Sequence, residues 1–128
     1  MVKAYYRGSC NSSKQAFLWF EKYGINIEKI RMSKVSKEDL MRALSLNDKG
    51  IEGIVKRKSR ISRGNKEQLS EIESMTLSEA LDFLTKNTQL LQTPIIIEDN
   101  KALVGFNIDD IRQFLPKEYR RNSNFKKY

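Results

Sequence analysis

The strongest constraint on the fold comes from one stretch near the C-terminus, TPIIIEDNKALVGF at residues 93–106. Its run from Ile95 to Ile97 is β-branched throughout, which is typical of a strand buried on both faces in the centre of a sheet. The polar residues 98–101 have the composition of a tight turn, and residues 102–104 can return as a second strand. The stretch therefore predicts an antiparallel hairpin built around a central strand.

The N-terminal part of the chain predicts a strand, a helix and a second strand. Residues 2–6 and 25–31 both show the short-period pattern of strands. Between them, a helix from about residue 11 to 23 is predicted to stop at Gly24. This β-α-β order usually produces a parallel pair of strands with a right-handed crossover. The predicted buried stripe of the helix consists of Ala16, Phe17, Phe20 and Tyr23.

The middle of the chain predicts only helices. Ser36–Asp39 resembles a capping box with aspartate in the place of glutamate, and Thr76–Glu79 is a complete one. A turn at 47–50 precedes a short helix at 51–56, and a further helix spans about 66–73. Inward-facing positions in these helices are predicted at Leu40, Ala43, Leu44, Leu69, Ile72, Leu77, Ala80, Leu81 and Leu84.

The order of the elements defines a fold class. A last helix is predicted from the cap Asn107 to Pro116, so the order is β-α-β, helices, and then β-β-α. A mixed four-stranded sheet with helices on both faces satisfies this order, and we predict a thioredoxin-like α/β fold in one domain, residues 1–116. The domain carries a helical insert at about 34–90. Residues 117–128 lack apolar periodicity and are predicted to form a basic flexible tail.

The cysteine and histidine content limits the chemistry of the chain. One cysteine can form neither an internal disulfide nor a thiolate zinc cluster, and no histidine is present to act as a general base or metal ligand. We therefore expect no metal site and no cofactor. No apolar run approaches the roughly 18 residues of a membrane span, and the N-terminus lacks the apolar segment of a signal peptide. The expected location is the cytoplasm.

Cys10 lies where the first strand gives way to the first helix. Free backbone N–H groups and the positive end of the helix dipole stabilise a thiolate at such a position, and Arg7 and Lys14 add positive charge. Cys10 is therefore a candidate reactive thiol with a lowered pKa. The alternative is a half-buried cysteine that serves as a small apolar residue.

Two further residues are predicted beside the thiol. Ser13 occupies the position at which a C-x-x-C pair would have its second cysteine. A hydroxyl cannot resolve a mixed disulfide, so any disulfide formed by Cys10 requires an outside thiol. Pro94 occupies the place of the cis proline that faces the active thiol in thioredoxin-like folds. We expect this bond to be cis, with an ordinary trans proline at a strand start as the alternative.

The positive charge of the chain is clustered. The formal net charge is +8; residues 56–66 hold six cations and no acid, and residues 117–128 hold five cations and one acid. This clustering favours binding to a polyanion such as nucleic acid over a role of the charge in solubility alone. Because no helix-turn-helix, zinc finger or stacking-aromatic pattern is present, the sequence favours a helper that lies beside DNA while a partner reads the bases.

Three stretches carry a resemblance to a known family: GSCNSSKQAFLWFEKYGI, GIEGIVKRKS and, most specifically, LLQTPIIIEDNKALVGFNIDDIRQFLP. They resemble Spx, a family of bacterial transcription regulators in the arsenate-reductase-like (ArsC/Spx) branch of the thioredoxin fold. The resemblance implies a regulator that binds the C-terminal domain of the RNA polymerase α subunit and meets promoter DNA only indirectly.

The same resemblance implies site residues. It places α-subunit binding at Ser45, Gly50 and Ile51, although Gly50 and Gly53 are equally consistent with two turn glycines on the residues alone. It also implies a row of basic residues near promoter DNA, namely Lys56, Arg57, Lys58, Arg60 and Arg63.

Two departures from the family pattern bear on function. Ser13 replaces the second cysteine of the redox pair, and Thr93 replaces an arginine before Pro94 that bears on anion binding in the reductases. We therefore predict a regulator that is not an enzyme and lacks the disulfide switch. The alternative is a monothiol oxidoreductase or arsenate-reductase-like enzyme that uses Cys10. A protease or adaptor acting on the tail is a further candidate partner, and no membrane partner is expected.

Overall fold

A four-stranded mixed sheet forms the centre of the fold. Its strands are β1 (Val2–Tyr6), β2 (Ile27–Arg31), β3 (Ile95–Glu98) and β4 (Lys101–Val104), in the spatial order β2-β1-β3-β4. β1 and β2 run parallel, whereas β3 is antiparallel to both of its neighbours. The predicted sheet is confirmed, and the continuous isoleucine run lies inside it, as its composition required.

The structure is a computed structural model, and it describes residues 1–57 and 63–116. Two of the predicted DNA-facing residues, Lys58 and Arg60, lie outside the described residues. The predicted flexible tail, residues 117–128, also lies outside them.

Within these described residues, four α-helices pack around the sheet: α1 (Asn11–Lys22), α2 (Lys37–Ser45), α3 (Arg63–Ile72) and α4 (Leu77–Lys86). Both predicted N-caps are present, but only Thr76–Glu79 forms a complete capping box. Ser36 Oγ accepts a hydrogen bond from the Asp39 N–H at 3.1 Å, and Thr76 and Glu79 bond to each other reciprocally. The Asp39 carboxylate, however, is buried and accepts from the Tyr5 hydroxyl on β1, so it ties α2 to the sheet.

Two predicted helices are instead short 3-10 segments. The predicted helix at 51–56 is a 3-10 turn at Gly50–Gly53, and the last predicted helix is a 3-10 turn at Asp110–Phe114. Both are too short to repay the cost of starting an α-helix, and runs of this length commonly tighten to the 3-10 form. Asn107 still caps the last turn, because its Oδ1 accepts from the N–H groups of Asp109 and Asp110. Further 3-10 turns lie at Met32–Lys34 and Thr88–Leu90.

The core is divided by the sheet into two clusters. Ile96 of β3 packs with Ala16 and Phe20 of α1, whereas Ile95 and Ile97 point to the opposite face. There they meet the helices of the insert, since successive side chains of a strand face opposite sides. The inward positions predicted for the helices of the insert are buried with one exception. Leu77 is 47% exposed, because the buried stripe of α4 begins one turn later at Ala80. The remaining members of that stripe are Leu81 and Leu84.

The buried face of α1 differs from the prediction in one respect. Trp19 is 7% exposed and contacts the rings of Phe20 and Tyr23, although the sequence pattern did not include it. Phe17 and Tyr23 are half-buried rather than fully buried. The ring of Phe17 makes an edge-on contact with Tyr6 on β1.

Candidate functional site

Cys10 is the N-cap residue of α1. Its backbone is extended, and the Lys14 N–H bonds to its carbonyl oxygen at 3.2 Å, which closes the first helical turn. The Cys10 side chain is half-buried. This position places the sulfur next to N–H groups at the beginning of the helix, where negative charge is stabilised.

Thr93 brings the second half of the chain to the thiol. Its Oγ1 donates a hydrogen bond to Cys10 Sγ at 3.0 Å, and Cys10 Sγ lies 3.7 Å from the Thr93 carbonyl oxygen, to which the thiol can donate. The Thr93–Pro94 peptide bond is cis, as predicted, and Pro94 is buried. The residue that replaces the family arginine is therefore itself a hydrogen-bond partner of the sulfur.

Ser13 lies on the inner side of the thiol. Its side chain is 1% exposed, and its Oγ has no hydrogen bond of ordinary geometry within the described residues. The hydroxyl nevertheless lies close enough to the sulfur to influence its ionisation. Ser13 thus fills the place of the missing cysteine, and it leaves a buried polar group without a good partner.

The pKa of Cys10 reflects two opposing effects. Burial would raise the pKa of the thiol, but the neighbouring Ser13 hydroxyl, the hydrogen bond from Thr93 and the backbone N–H groups of Ser12 and Ser13 outweigh it, so the pKa is lowered. The direction agrees with the sequence prediction. The cause is hydrogen bonding rather than the charge of Lys14, whose side chain is exposed.

Arg7 clamps the segment that leads to Pro94. Its Nη1 donates to the Leu91 carbonyl at 2.9 Å and to Thr93 Oγ1 at 3.4 Å, and its Nη2 donates to the Thr88 carbonyl. Because Thr93 Oγ1 accepts from Arg7, its own hydrogen is free to point at Cys10. Burial lowers the pKa of Arg7, and the negative charge of Cys10 opposes that effect. The sequence indicated the charge of Arg7 but not this clamp.

Lys56 belongs to the same site. Its backbone N–H bonds to the Leu90 carbonyl at 2.8 Å, beside an isolated bridge between Val55 and Leu91. Burial and the charge of Arg7 lower the pKa of Lys56, while the charge of Cys10 raises it. The sequence grouped Lys56 with the DNA-facing residues. Its position near the thiol depends on a long-range pairing that no local pattern indicates.

A second group of predicted residues lies around the turn after α2. Asn47 organises this turn, because its Oδ1 accepts from the Lys49 N–H at 2.6 Å and its Nδ2 donates to the Gly50 carbonyl at 3.3 Å. Gly50 has a φ of +63°, and a Cβ there would meet no atom within 4 Å. Gly53 is needed for a different reason, since its Cβ would approach Asn47 Oδ1 to 2.4 Å.

A groove of about 720 Å³ extends from this turn along α3. Its floor is apolar and its rim carries charges of both signs. The apolar lining includes Ile51, Val55, Leu69 and Ile72, and the cationic rim consists of Lys49, Lys56 and Arg57. The groove thus lies between the Gly50 turn and the beginning of the basic segment.

The predicted residues therefore form two groups, which adjoin each other at Lys56. Cys10, Ser13 and Pro94 come together at the thiol, while Lys14 points to solvent. Ser45 is exposed at the end of α2, and Ile51 is half-buried on the wall of the groove. Arg57 and Arg63 are exposed on either side of residues 58–62.

Residues 1–57 and 63–116 contain no group of three or more histidine, cysteine, aspartate or glutamate side chains that could hold a metal ion. No helix within the same ranges is long and apolar enough to cross a membrane.

The sheet order, the thiol at the beginning of α1 and the proline that faces it define a thioredoxin-like protein of the arsenate-reductase-like class. The chain belongs to the ArsC family, which matches residues 5–114. Among its relatives it is similar to the global transcriptional regulator Spx of Streptococcus mutans, with 31% identity over 124 residues that cover 94% of this chain and 88% of that protein.

Solved structures share the fold at lower identity. An ArsC-family-related protein from Bacteroides fragilis matches with a TM-score of 0.72 and 18% identity, covering 88% of this chain and 97% of that chain. The arsenate reductase from Vibrio cholerae matches with a TM-score of 0.66 and 20% identity, covering 88% and 92%. At these identities the similarity supports the fold alone.

Proposed function

We propose that the chain is an Spx-like transcriptional regulator that binds the C-terminal domain of the RNA polymerase α subunit in the bacterial cytoplasm. The observation that carries this proposal is the similarity to proteins named as the global regulator Spx, which extends over 94% of the chain. In this proposal residues 1–116 act as one domain with a helical insert at about 34–90. The tail, residues 117–128, is a candidate target for a protease or adaptor.

The proposed contact with the α subunit is the turn around Gly50 together with Ser45 and Ile51. Asn47 fixes the backbone of this turn through two hydrogen bonds, so the turn is preorganised before any partner arrives. Gly50 presents backbone without a side chain, which allows a partner to approach closely. The adjoining groove offers apolar surface at Ile51 that a partner side chain can cover.

Promoter DNA is the proposed neighbour of the segment from Lys56 to Arg63. Arg57 and Arg63 are exposed, and each can neutralise a phosphate. The half-buried ammonium of Lys56 lies in the field of Cys10 and Arg7, so we assign it a smaller share of DNA contact. Lys58 and Arg60 complete the proposed basic row. Sequence reading is left to the partner, since these contacts address the backbone of DNA.

The proposed regulator works without an internal disulfide. Cys10 is the only cysteine of the chain, and Ser13 cannot form a bond to its sulfur. Binding to the α subunit is therefore proposed to be independent of the thiol–disulfide state that a C-x-x-C pair would provide.

The test is a binding measurement at low salt between the purified chain and the isolated C-terminal domain of the α subunit. We expect Gly50→Arg to abolish binding, because it places a long cation on the contact surface. Gly24→Arg is the matched control: Gly24 has a φ of +64° and open space at its Cβ, so the strain on the chain is the same. Equal binding by both variants, or no binding by the unaltered chain, would contradict the proposal.

A monothiol oxidoreductase or arsenate-reductase-like enzyme is the second candidate function. The observation that favours it is the lowered pKa of Cys10 beside Thr93 and Pro94. An oxyanion substrate would need cationic donors at the sulfur, but the Arg7 donors described above are directed at Leu91, Thr93 and Thr88. Thiol-dependent turnover of arsenate or of a small disulfide by the purified chain, lost in Cys10→Ala, would establish this function.

A further inference from the structure

The buried hydroxyl of Ser13 is an unexplained feature of the thiol site. Buried polar groups nearly always have a hydrogen-bond partner, because an unpaired one loses its hydration without compensation. In residues 1–57 and 63–116, Ser13 Oγ is the buried side-chain oxygen or nitrogen that lacks such a partner. It lies beside Cys10 Sγ, and a thiol sulfur is only a weak acceptor.

An oxygen atom bonded to the Cys10 sulfur would give the Ser13 hydroxyl a hydrogen-bond partner. It would be a strong acceptor within reach of the Ser13 hydroxyl at the beginning of α1. Thr93 Oγ1 already donates to the sulfur at 3.0 Å, and it would supply a second donor to the oxidised group. Lys56, whose charge interacts with Cys10, would supply a counter-charge.

We propose that Cys10 is an oxidation site at which a persistent sulfenate forms, held by the hydroxyls of Ser13 and Thr93. The co-reactant is a small peroxide, and Cys10 is half-buried rather than fully enclosed. This inference concerns the thiol site alone and does not depend on the proposed binding to RNA polymerase.

The reaction requires only peroxide and the thiolate. The Cys10 thiolate attacks one oxygen of hydrogen peroxide, a sulfur–oxygen bond forms and the oxygen–oxygen bond breaks. Sulfur loses two electrons and the peroxide gains them, which produces a sulfenic acid and hydroxide. The hydroxide takes the sulfenic proton to give water, so the site retains a sulfenate anion.

The sulfenate is expected to persist because the site lacks a second thiol. A sulfenic acid normally condenses with a nearby thiol to form a disulfide, but the chain has no second cysteine. The nearest equivalent position is Ser13, whose oxygen donates a hydrogen bond instead of displacing hydroxide. Ser13 therefore prevents an internal disulfide and, at the same time, stabilises the sulfenate from which such a disulfide would form.

The experiment treats the purified chain with hydrogen peroxide, removes the oxidant with catalase and adds dimedone, which reacts selectively with sulfenic acids, at successive times. We expect one dimedone adduct on the peptide that contains Cys10. Ser13→Ala should shorten the lifetime of the trappable species at least about tenfold, the size expected for a lost hydrogen bond to a charged group. Ser12→Ala is the matched control and should keep the original lifetime, because Ser12 contributes its backbone to the site.

Ser13→Cys provides the second control. It restores a resolving thiol, so peroxide should produce an internal disulfide with a mass loss of two hydrogens and no dimedone adduct. This result shows that peroxide reaches Cys10. The proposal is overturned if the unaltered chain gives no adduct, or if Ser13→Ala and the unaltered chain have the same sulfenate lifetime.

Discussion

The Tyr5 hydroxyl of β1 donates a hydrogen bond to the Asp39 carboxylate of α2, and both side chains are buried. Lys3 Nζ lies 3.5 Å from the same carboxylate and is the partner that balances its charge. Burial, together with the hydrogen bond and the charge of Asp39, raises the pKa of Tyr5 to about 12. This contact joins the helix that carries the Gly50 turn to the central sheet.

Loss of the Tyr5 hydroxyl should therefore destabilise the whole domain. We expect Tyr5→Phe to lower the free energy of unfolding by about 1.5–3 kcal/mol, because a buried carboxylate loses a hydrogen bond. Tyr6→Phe is the control, since the Tyr6 hydroxyl has no hydrogen bond among the described residues and its ring contact with Phe17 is retained. Urea denaturation of both variants measures the difference, and equal midpoints would refute the role of the Asp39 contact.

The ionisation of Cys10 gives a prediction on pH. Because its pKa is lowered, the thiolate persists to a lower pH than that of free cysteine, whose pKa is about 8.5. The rate of alkylation by iodoacetamide should therefore rise with pH and reach half its maximum at a lower pH than in a short, unstructured cysteine peptide. Thr93→Val removes a donor to the sulfur and should move this midpoint upward, whereas Ser12→Ala should not. A midpoint at or above that of free cysteine would show that burial dominates.

Gly53 and Asn47 should be energetically coupled. Gly53→Ala brings a Cβ into steric overlap with Asn47 Oδ1, and the Asn47 side chain is held by hydrogen bonds to Lys49 and Gly50. We expect this substitution to cost about 1–3 kcal/mol of stability. In Asn47→Ala the obstacle is absent, so the same change at Gly53 should cost much less there. A double-mutant cycle measured by denaturation tests this, and strictly additive costs would exclude the contact.

Arg57, exposed on the rim of the groove, predicts how DNA binding depends on salt. The measurement is the binding constant K of promoter DNA for the complex of the chain with the α-subunit domain, at several salt concentrations. If Arg57 contacts a phosphate, Arg57→Ala should reduce the slope of log K against log salt by about 0.9. Lys86→Ala removes an exposed cation at the end of α4 and serves as the control. Identical slopes for Arg57→Ala and the unaltered complex would remove Arg57 from the proposed DNA surface.

Local patterns were sufficient to predict the sheet. The isoleucine run of β3 has few alternatives to a central strand, and the capping box at Thr76 depends only on neighbours in sequence. The two 3-10 turns were predicted as α-helices because a segment of only one or two turns has no sequence pattern that distinguishes the two helix types. Leu77 was predicted to be buried but is exposed. The spacing of apolar residues identifies the face of a helix that packs on the core, but not the residue at which that packing begins.

The thiol site was only partly predictable for a different reason. Cys10 and Ser13 are close in sequence, so their spacing identified them. Thr93 bonds to the sulfur, and Arg7 and Lys56 bond to residues 88–93, through contacts between segments that are distant in sequence. These contacts depend on how the 88–93 segment crosses the end of β1. Their residue types alone do not indicate that crossing.

The central claim is that the Gly50 surface binds the RNA polymerase α subunit without the help of the thiol. The most direct test is the Kd of the unaltered chain and of Cys10→Ala for the isolated C-terminal domain of the α subunit, both measured in excess reductant. The account predicts that both bind, with values within about twofold of each other, because Cys10 lines neither the Gly50 turn nor the adjoining groove. Failure of the unaltered chain to bind, or a loss of binding in Cys10→Ala, would contradict it.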